Sequence, residues 1–584
     1  MPNLVAPGFH SLVDSPQFFN APEGKRDPQA ELEATLRAFA SEVEETPQRQ
    51  NPQCGFIARR AWLDEALRFD RRRLPWRACR RFDEWHAALD AKHLTLVFAS
   101  AYLNNPSSMY GHTLLRIDAS DQNERTRLLA YTLNFYANTN ETNGVIFALR
   151  ALWGAYPGSF SILPYYIKVR EYNDLENRDL WEYQLDFTQE EVERVVRHAW
   201  ELQAAYFDYY FFDENCAYHL LRLLQVARPD MDLAGQFRWW AIPTDTVRAV
   251  VAYPGLVAKS VYRPANATVI ESRLSRMPAD DRALTRDLSQ GRVRPDDVKL
   301  RALPPQRAAA VLEAGYDYVN YRRATGKHDV GDPAAYAREL LVARSRVDAP
   351  PQTPVIADAP TRPELGHGSS RVSLAAGRLG ESDFAELRLR GAYHDLLDAD
   401  PGYSPGAQIE FFNAAFRHYS EGRGEVESFV PIDIISLSPR DDFFGSISWK
   451  IAAGWWRQFA NDGSRPLSTN VEGGAGLAWA LPHGATLYGF VDSGLRVHPH
   501  LDDGYQVGAG ATLGALVDPA PAWRLHGYVR GMSYFLGEHD RPAAVGLEQR
   551  LSLSRDVALR LDLARRREGG TSFNTGSLSL LLYF

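Results

Sequence analysis

From about residue 369 to its end, the chain alternates apolar and polar positions with a period of two. The pattern predicts strands near 369–380, 382–395, 407–420, 425–438, 443–458, 467–482, 485–499, 504–519, 522–537, 541–554, 557–569 and 571–584. Ala385, Leu387, Leu389, Gly391 and Tyr393 oppose Glu386, Arg388 and Arg390. Val545, Leu547, Leu551 and Leu553 oppose Gly546, Glu548, Arg550 and Ser552, and Val557, Leu559, Leu561 and Leu563 oppose Arg560, Asp562 and Arg566. Aliphatics on one face and charges on the other predict an antiparallel membrane β-barrel of about 12 strands, with lipid outside and a wet lumen. A soluble β-sandwich alternates too, but prefers shorter strands. The last strand ends on Phe584, the kind of terminal aromatic by which outer-membrane barrels close and are recognised by the barrel assembly machinery. Trp455, Trp456, Trp479, Tyr488 and Tyr534 are candidates for interfacial girdles.

Upstream the period changes. Residues 1–90 read as helical, with apolar residues at 3–4 spacing in Pro28–Ala40 and Phe56–Phe69. Residues 91–260 mix the two periods: strands at Leu94–Ala99, His112–Ile117 and Leu128–Tyr136, and helices at Thr188–Gln203 and Cys216–Val226. Strands with segregated helices predict an α+β domain. Residues 261–347 are helical again, clearest at Arg307–Arg323 and Pro333–Val347, and the Pro-rich stretch 348–368 reads as an extended linker.

At 584 residues the chain is multidomain, and its net charge of −8 gives no global reason to expect nucleic-acid binding. No apolar run is long enough for a transmembrane helix. The first residues, Met1-Pro2-Asn3-Leu4-Val5-Ala6-Pro7, lack the basic and apolar regions of a secretory signal. An envelope protein needs one, so the expectation is that the signal precedes this start or has been trimmed. Of three cysteines, Cys54 and Cys79 are the candidates for a disulfide in an oxidising periplasm, leaving Cys216 free.

Two polar junctions carry the candidate chemistry. In Asn105-Pro106-Ser107-Ser108-Met109-Tyr110-Gly111-His112, a turn delivers His112 to the start of a strand. In Phe211-Phe212-Asp213-Glu214-Asn215-Cys216-Ala217-Tyr218-His219, Asp213 or Asn215 is a helix N-cap and Cys216 falls in the first turn. A helix N-terminus favours thiolate over thiol. A nearby imidazole shuttles the proton, and first-turn N–H groups lie where an oxyanion forms. Asn134, on the next strand, is the candidate that orients the imidazole. Asn105, Ser107, Ser108, Tyr110, Asn215 and His219 are candidate binding residues, His219 also being an alternative base. A zinc site is disfavoured, because no second ligand pair has suitable spacing. No cofactor is expected.

A helix-tip cysteine facing a strand histidine is papain-like machinery, and the order His before Cys matches circularly permuted members of the NlpC/P60 superfamily. The segments NPSSMYGHTLLRI, YTLNFYAN, EYNDLENRDLWEY and YYFFDENCAYHLL, within about residues 90–250, resemble the periplasmic domain family named after Lnb, the bacterial lipoprotein N-acyltransferase. The resemblance implies a permuted NlpC/P60-like fold with His112 and Cys216 as the catalytic pair. The enzyme that gives the family its name transfers an acyl chain from the lipid moiety of a lipoprotein to its N-terminal amine, and is anchored by membrane helices rather than a barrel.

The reading is therefore a Gram-negative outer-membrane protein with a periplasmic N-terminal portion. Its expected activity is a cysteine-dependent acyltransferase or hydrolase acting on a lipid or lipoprotein acyl group through an acyl-Cys intermediate. A peptidoglycan amidase or endopeptidase is the alternative enzyme. A transport or secretion barrel with an inactive periplasmic domain is the non-enzymatic one, with Glu386, Arg388, Arg390, Glu548, Arg550, Arg560 and Asp562 either lining a pore or pairing to fill it.

Overall fold

The computed structural model describes residues 9–43, 46, 50–101, 109–123, 126–141, 144–327, 329–351, 357–501 and 503–584. They form two compact units, residues 1–359 and 360–584.

The first unit is built on a seven-stranded sheet. Its strands are β1 (Ala91–Ala99), β2 (His112–Ala119), β3 (Tyr131–Ala137), β4 (Tyr156–Pro164), β5 (Leu180–Leu185), β6 (Tyr206–Tyr209) and β7 (Val257–Arg263). They lie in the order β6-β4-β3-β2-β1-β5-β7, and every neighbouring pair is antiparallel. β1 is buried on both faces from Leu94 onward, which explains its unbroken apolar run. Sequence patterning anticipates β1, β2 and most of β3, whose first residues instead form a 3₁₀ turn at Arg127–Leu129. It misses four strands. Pro157, Gly158 and Pro164 interrupt the strand pattern of β4, and β5 carries a buried charge, Glu182, at its centre. The sheet also runs past residue 260, because β7 pairs with β5 as far as Arg263.

The helix Gln189–Leu202 starts at a capping box between Thr188 and Glu191 and buries Val192, Val195, Val196 and Ala199. The helix Cys216–Gln225 starts at Asn215, whose side chain accepts from the N–H groups of Ala217 and Tyr218. Towards the N-terminus, the helices Pro28–Phe39, Ile57–Leu67 and Arg80–Leu89 precede the sheet. Cys54 and Cys79 form a disulfide, 5.2 Å apart at Cα, and both pack with Ile57 and Phe82. Beyond the sheet, helices Ala279–Ser289, Pro305–Ala324 and Pro333–Ser345 share a core that includes Leu288, Val311, Leu312, Tyr336 and Leu340.

The second unit is a closed barrel of twelve strands. They are β8 (Arg371–Leu379), β9 (Ser382–His394), β10 (Ala407–Tyr419), β11 (Gly424–Ser436), β12 (Ser448–Arg457), β13 (Leu467–Leu481), β14 (Ala485–Val497), β15 (Tyr505–Ala520), β16 (Trp523–Gly537), β17 (Ala543–Ser552), β18 (Val557–Glu568) and β19 (Thr571–Tyr583). β19 closes on β8, and the Phe584 and Ser370 backbones exchange hydrogen bonds just past the ladder. Leu387, Leu389, Val491, Leu513, Val529 and Leu578 point outward and are exposed. The inward charges pair. Glu386 accepts from Arg388 at 2.9 Å and Arg417 at 2.7 Å, Arg390 reaches Asp398 at 2.6 Å, and Arg560 reaches Asp562 at 2.7 Å.

Three expectations for this unit need correction. Trp455 and Trp479 are exposed on the outside, but Tyr488 and Tyr534 point inward. The Tyr488 hydroxyl bonds His526 Nε2 at 2.7 Å, a partner that lipid would not offer. Tyr393, expected to face lipid, is buried because the segment after β9 folds back and lays Tyr403 4.8 Å from it. The proline-rich linker also ends sooner than expected: from Pro360 the chain belongs to the barrel unit, where Glu364 and His367 are buried.

Candidate active site

Antiparallel register places Leu115 opposite Leu133, so His112, Leu114 and Asn134 share one face of the sheet. His112 Nε2 lies 2.7 Å from Asn134 Oδ1. The imidazole donates its Nε2–H to that oxygen, which leaves Nδ1 with a lone pair. The His112 ring also contacts Tyr172, at 5.9 Å between centroids. Phe135, Phe160, Phe207 and His219 lie together on the opposite face, beneath the Cys216 helix.

The ladder between β2 and β3 begins only at Leu115 and Leu133. The Thr113 peptide N–H therefore lacks a β3 partner, and its dipole favours the charged form of the Cys216 sulfur. This puts the thiol beside the first peptide of β2, next in the chain to His112. A thiolate at Cys216 would be felt electrostatically by Tyr209, which stacks on Phe135, and by Tyr172, which touches His112. No hydrogen bond joins Cys216 to the imidazole itself.

Arg178 stands behind both groups. Its guanidinium is buried and bonds the carbonyls of Ser100 at 2.7 Å and Ala99 at 2.9 Å, together with Glu176 at 2.9 Å. It lies over the Tyr172 ring at 4.8 Å. Its charge favours the neutral imidazole and opposes the upward shift of the thiol. From sequence, Tyr172 and Arg178 belong to a polar cluster that favours a salt-bridged loop over a substrate cleft, and Thr113 has no role of its own. A buried arginine inside an acidic segment looks like a solvated loop, and a backbone donor leaves no mark in the side-chain pattern.

Burial dominates the electrostatics. It pushes the Cys216 thiol up to about 11, against the Thr113 and Ala217 N–H groups and Arg178. It pushes His112 down to about 3, against the hydrogen bond with Asn134. At neutral pH the resting pair is thiol and neutral imidazole. The expected helix-tip thiolate is thus overridden, because desolvation of a sulfur only 4% exposed outweighs the partial charge of the helix end.

Several candidate binding residues have other duties. Asn215 accepts the Ala217 and Tyr218 N–H groups and donates its amide to the carbonyls of Phe211 and Ala241, so it is spent as a cap. With those two amides used, the Cys216 N–H is the first-turn donor still open for an oxyanion. His219 is 2% exposed, with its ring 4.2 Å from Phe135 and 4.6 Å from Phe207, and so has no surface to offer substrate. Tyr110 is buried against Phe211 and Phe212. Asn105, Ser107 and Ser108 lie outside the described residues. Among the described residues, the cluster of metal-ligating type is His367, His394 and Asp398 in the barrel unit. Asp398 already accepts from Arg390, Arg371 and Tyr583, and His367 Nε2 lies 3.1 Å from His394 Nδ1, so these atoms are engaged with protein partners.

Comparison with known proteins divides the chain along the same lines. Residues 81–253 match the Lnb N-terminal periplasmic domain. Residues 4–66, 260–356 and 360–583 match three domains of unknown function (DUF7843, DUF7842 and DUF7840). None of the curated proteins compared with the chain matches it. Among solved structures, the barrel is similar to OmpT expressed in the outer membrane of Vibrio cholerae, at 7% identity and a TM-score of 0.21, covering 39% of this chain and 99% of that one. It is also similar to the β domain of the Bordetella autotransporter BrkA, at 10% identity and a TM-score of 0.21, covering 38% and 100%. Independently of those likenesses, a closed barrel that exposes aliphatics and pairs its charges inside, following a domain of periplasmic type, makes this an outer-membrane protein with a periplasmic N-terminal portion.

Proposed function

We propose that the periplasmic portion is a cysteine-dependent acyltransferase or hydrolase that acts on a lipid or lipoprotein acyl group. The observation that carries this reading is the ordered imidazole: His112 Nε2–H is held by Asn134, and Nδ1 keeps its lone pair on the strand whose next peptide N–H favours the Cys216 thiolate.

The protonation states favour general-base catalysis over a preformed ion pair. As the Cys216 sulfur attacks an ester or amide carbonyl, its proton passes to His112 Nδ1. The oxyanion is met by the Cys216 N–H. The tetrahedral adduct collapses, the C–O or C–N bond breaks, and His112 returns the proton to the departing alcohol or amine. An amine or water then attacks the acyl-Cys carbonyl through the same imidazole, giving a new amide or a free acid and restoring the thiol. Asn134 fixes the ring throughout and keeps the tautomer productive. Anchorage in the outer membrane supports an acyl substrate drawn from lipid.

The test is covalent labelling of the full-length protein with an activated fatty-acyl ester. The wild type should gain one acyl group on Cys216, and Cys216→Ala should lose the label with its barrel still assembled. Label retained in that variant, or a biological function that survives it, would defeat the proposal and favour the transport reading.

A further inference from the structure

A cavity of about 1200 Å³ opens in the first unit, away from Cys216. It exceeds the usual few hundred to 1,000 Å³ of a small-molecule site. Its walls come from the helices Pro28–Phe39, Ile57–Leu67 and Gln189–Leu202 and from the residues after Gln225. Phe18, Leu32, Trp62, Leu63 and Val226 make it largely apolar. Val226 lies at the far end of the ten-residue helix that begins with Cys216, so about 15 Å of helix separates the two places. Trp62 is 62% exposed, although it lines a concave apolar surface.

One polar group in this wall is left over. The Glu201 side chain is 1% exposed. Its Oε1 accepts the Arg59 N–H at 2.8 Å, whereas Oε2 makes only a long ion-pair contact with Arg59 Nε at 3.5 Å and no hydrogen bond. A buried carboxylate oxygen without a close hydrogen-bond donor is costly, and a ligand that brings one recovers part of that cost. The lysine and arginines of the lining already have acidic partners: Arg59 has Glu31 at 2.6 Å and Glu201 at 3.5 Å, Arg194 has Glu190 at 2.7 Å, Arg197 has Glu193 at 3.7 Å, and Lys25 has Asp14. Among the described lining residues no lysine or arginine is left without an acidic partner to meet an anionic head, whereas Glu201 Oε2 lacks a hydrogen bond.

We propose that this cavity binds a single-chain neutral lipid, with its aliphatic chain along the apolar wall and a terminal hydroxyl or amide N–H donated to Glu201 Oε2. Burial, which pushes the Glu201 carboxyl up to about 7, adds to the preference for an uncharged head. The site is independent of the acyl chemistry at Cys216, and its occupant need not be that enzyme's substrate.

The test uses full-length protein in phosphatidylcholine nanodiscs and three photoreactive probes: a diazirine-bearing hexadecanol, its methyl ether and the matching palmitate. Cross-linked peptides are mapped by mass spectrometry. Hexadecanol should label residues 28–66 and 189–202, and the ether and palmitate should label them at least fivefold less. Ala66→Trp, at an exposed position of the wall, should cut hexadecanol labelling at least fivefold. Glu201→Gln should erase the difference between alcohol and ether. The proposal fails if hexadecanol labels barrel strands alone, if Ala66→Trp changes nothing, or if ether or palmitate labels these helices as strongly as the alcohol.

Discussion

His112 and Asn134 face each other at 2.7 Å on neighbouring strands, with the imidazole Nε2–H pointing at the amide oxygen. The contact spans β2 and β3 where their backbones have stopped pairing, so the side chains hold what the ladder does not. Asn134→Ala should lower the rate of acyl-ester labelling at Cys216 by about 10- to 100-fold, within the range a general base contributes. Asn134→Asp keeps an acceptor and should retain more of the rate. Equal rates for all three proteins would show that the contact is only structural.

His112 and His219 are both held neutral, each pushed down to about 3 by desolvation, although only the His219 side chain is fully buried and His112 is half-buried. Unfolded, each takes up a proton near pH 6.5. The stability they contribute is therefore fully present above that value and is lost as pH falls toward 3, at about 1 kcal/mol per group per pH unit. Hydrogen exchange of the full chain between pH 7 and 4.5 should show protection of residues 216–225 falling as pH drops. Constant protection across that range, after correction for intrinsic exchange, would contradict the neutral, buried state described for His219.

The Cys54–Cys79 bridge closes a loop with a sequence separation of 25 residues. For a loop of that length, chain entropy gives about 3 kcal/mol of stabilisation. Replacing both cysteines with alanine should open the helical region to limited proteolysis at lower denaturant, while the heat-modified gel shift of the barrel stays unchanged. If cleavage is as slow as in the wild type, the bridge contributes little.

Leu578 faces outward near the middle of β19, and its neighbour Ser577 lines the lumen. Leu578→Arg should destabilise the barrel by about 2–4 kcal/mol in a reversible denaturant titration from vesicles. Ser577→Arg should cost clearly less, because its charge enters a lumen already lined by paired acids and bases. Equal losses from the two substitutions would mean that the assigned faces are wrong.

The barrel was legible in the sequence because strand parity is a local property. Each residue's face follows from its position in a period of two, and twelve strands repeat the message. Exceptions such as Tyr393 and Tyr488 arose where a folded-back segment or a lumen partner intervened. At the candidate site, residue types and the helix-tip position of Cys216 were also legible, since an N-cap asparagine and a turn before a strand leave local marks.

What the sequence could not decide depended on distance in space. Four of the seven sheet strands, the pairing of Cys54 with Cys79, and the convergence of Thr113, Tyr172 and Arg178 on Cys216 and His112 all join residues far apart in the chain. So does the apolar cavity with its orphaned carboxylate oxygen. The protonation of the site was settled there too. The sequence supplied a helix end that favours thiolate, and tertiary packing removed the water that would have let it form, because desolvating a charge costs more than a partial helix charge returns.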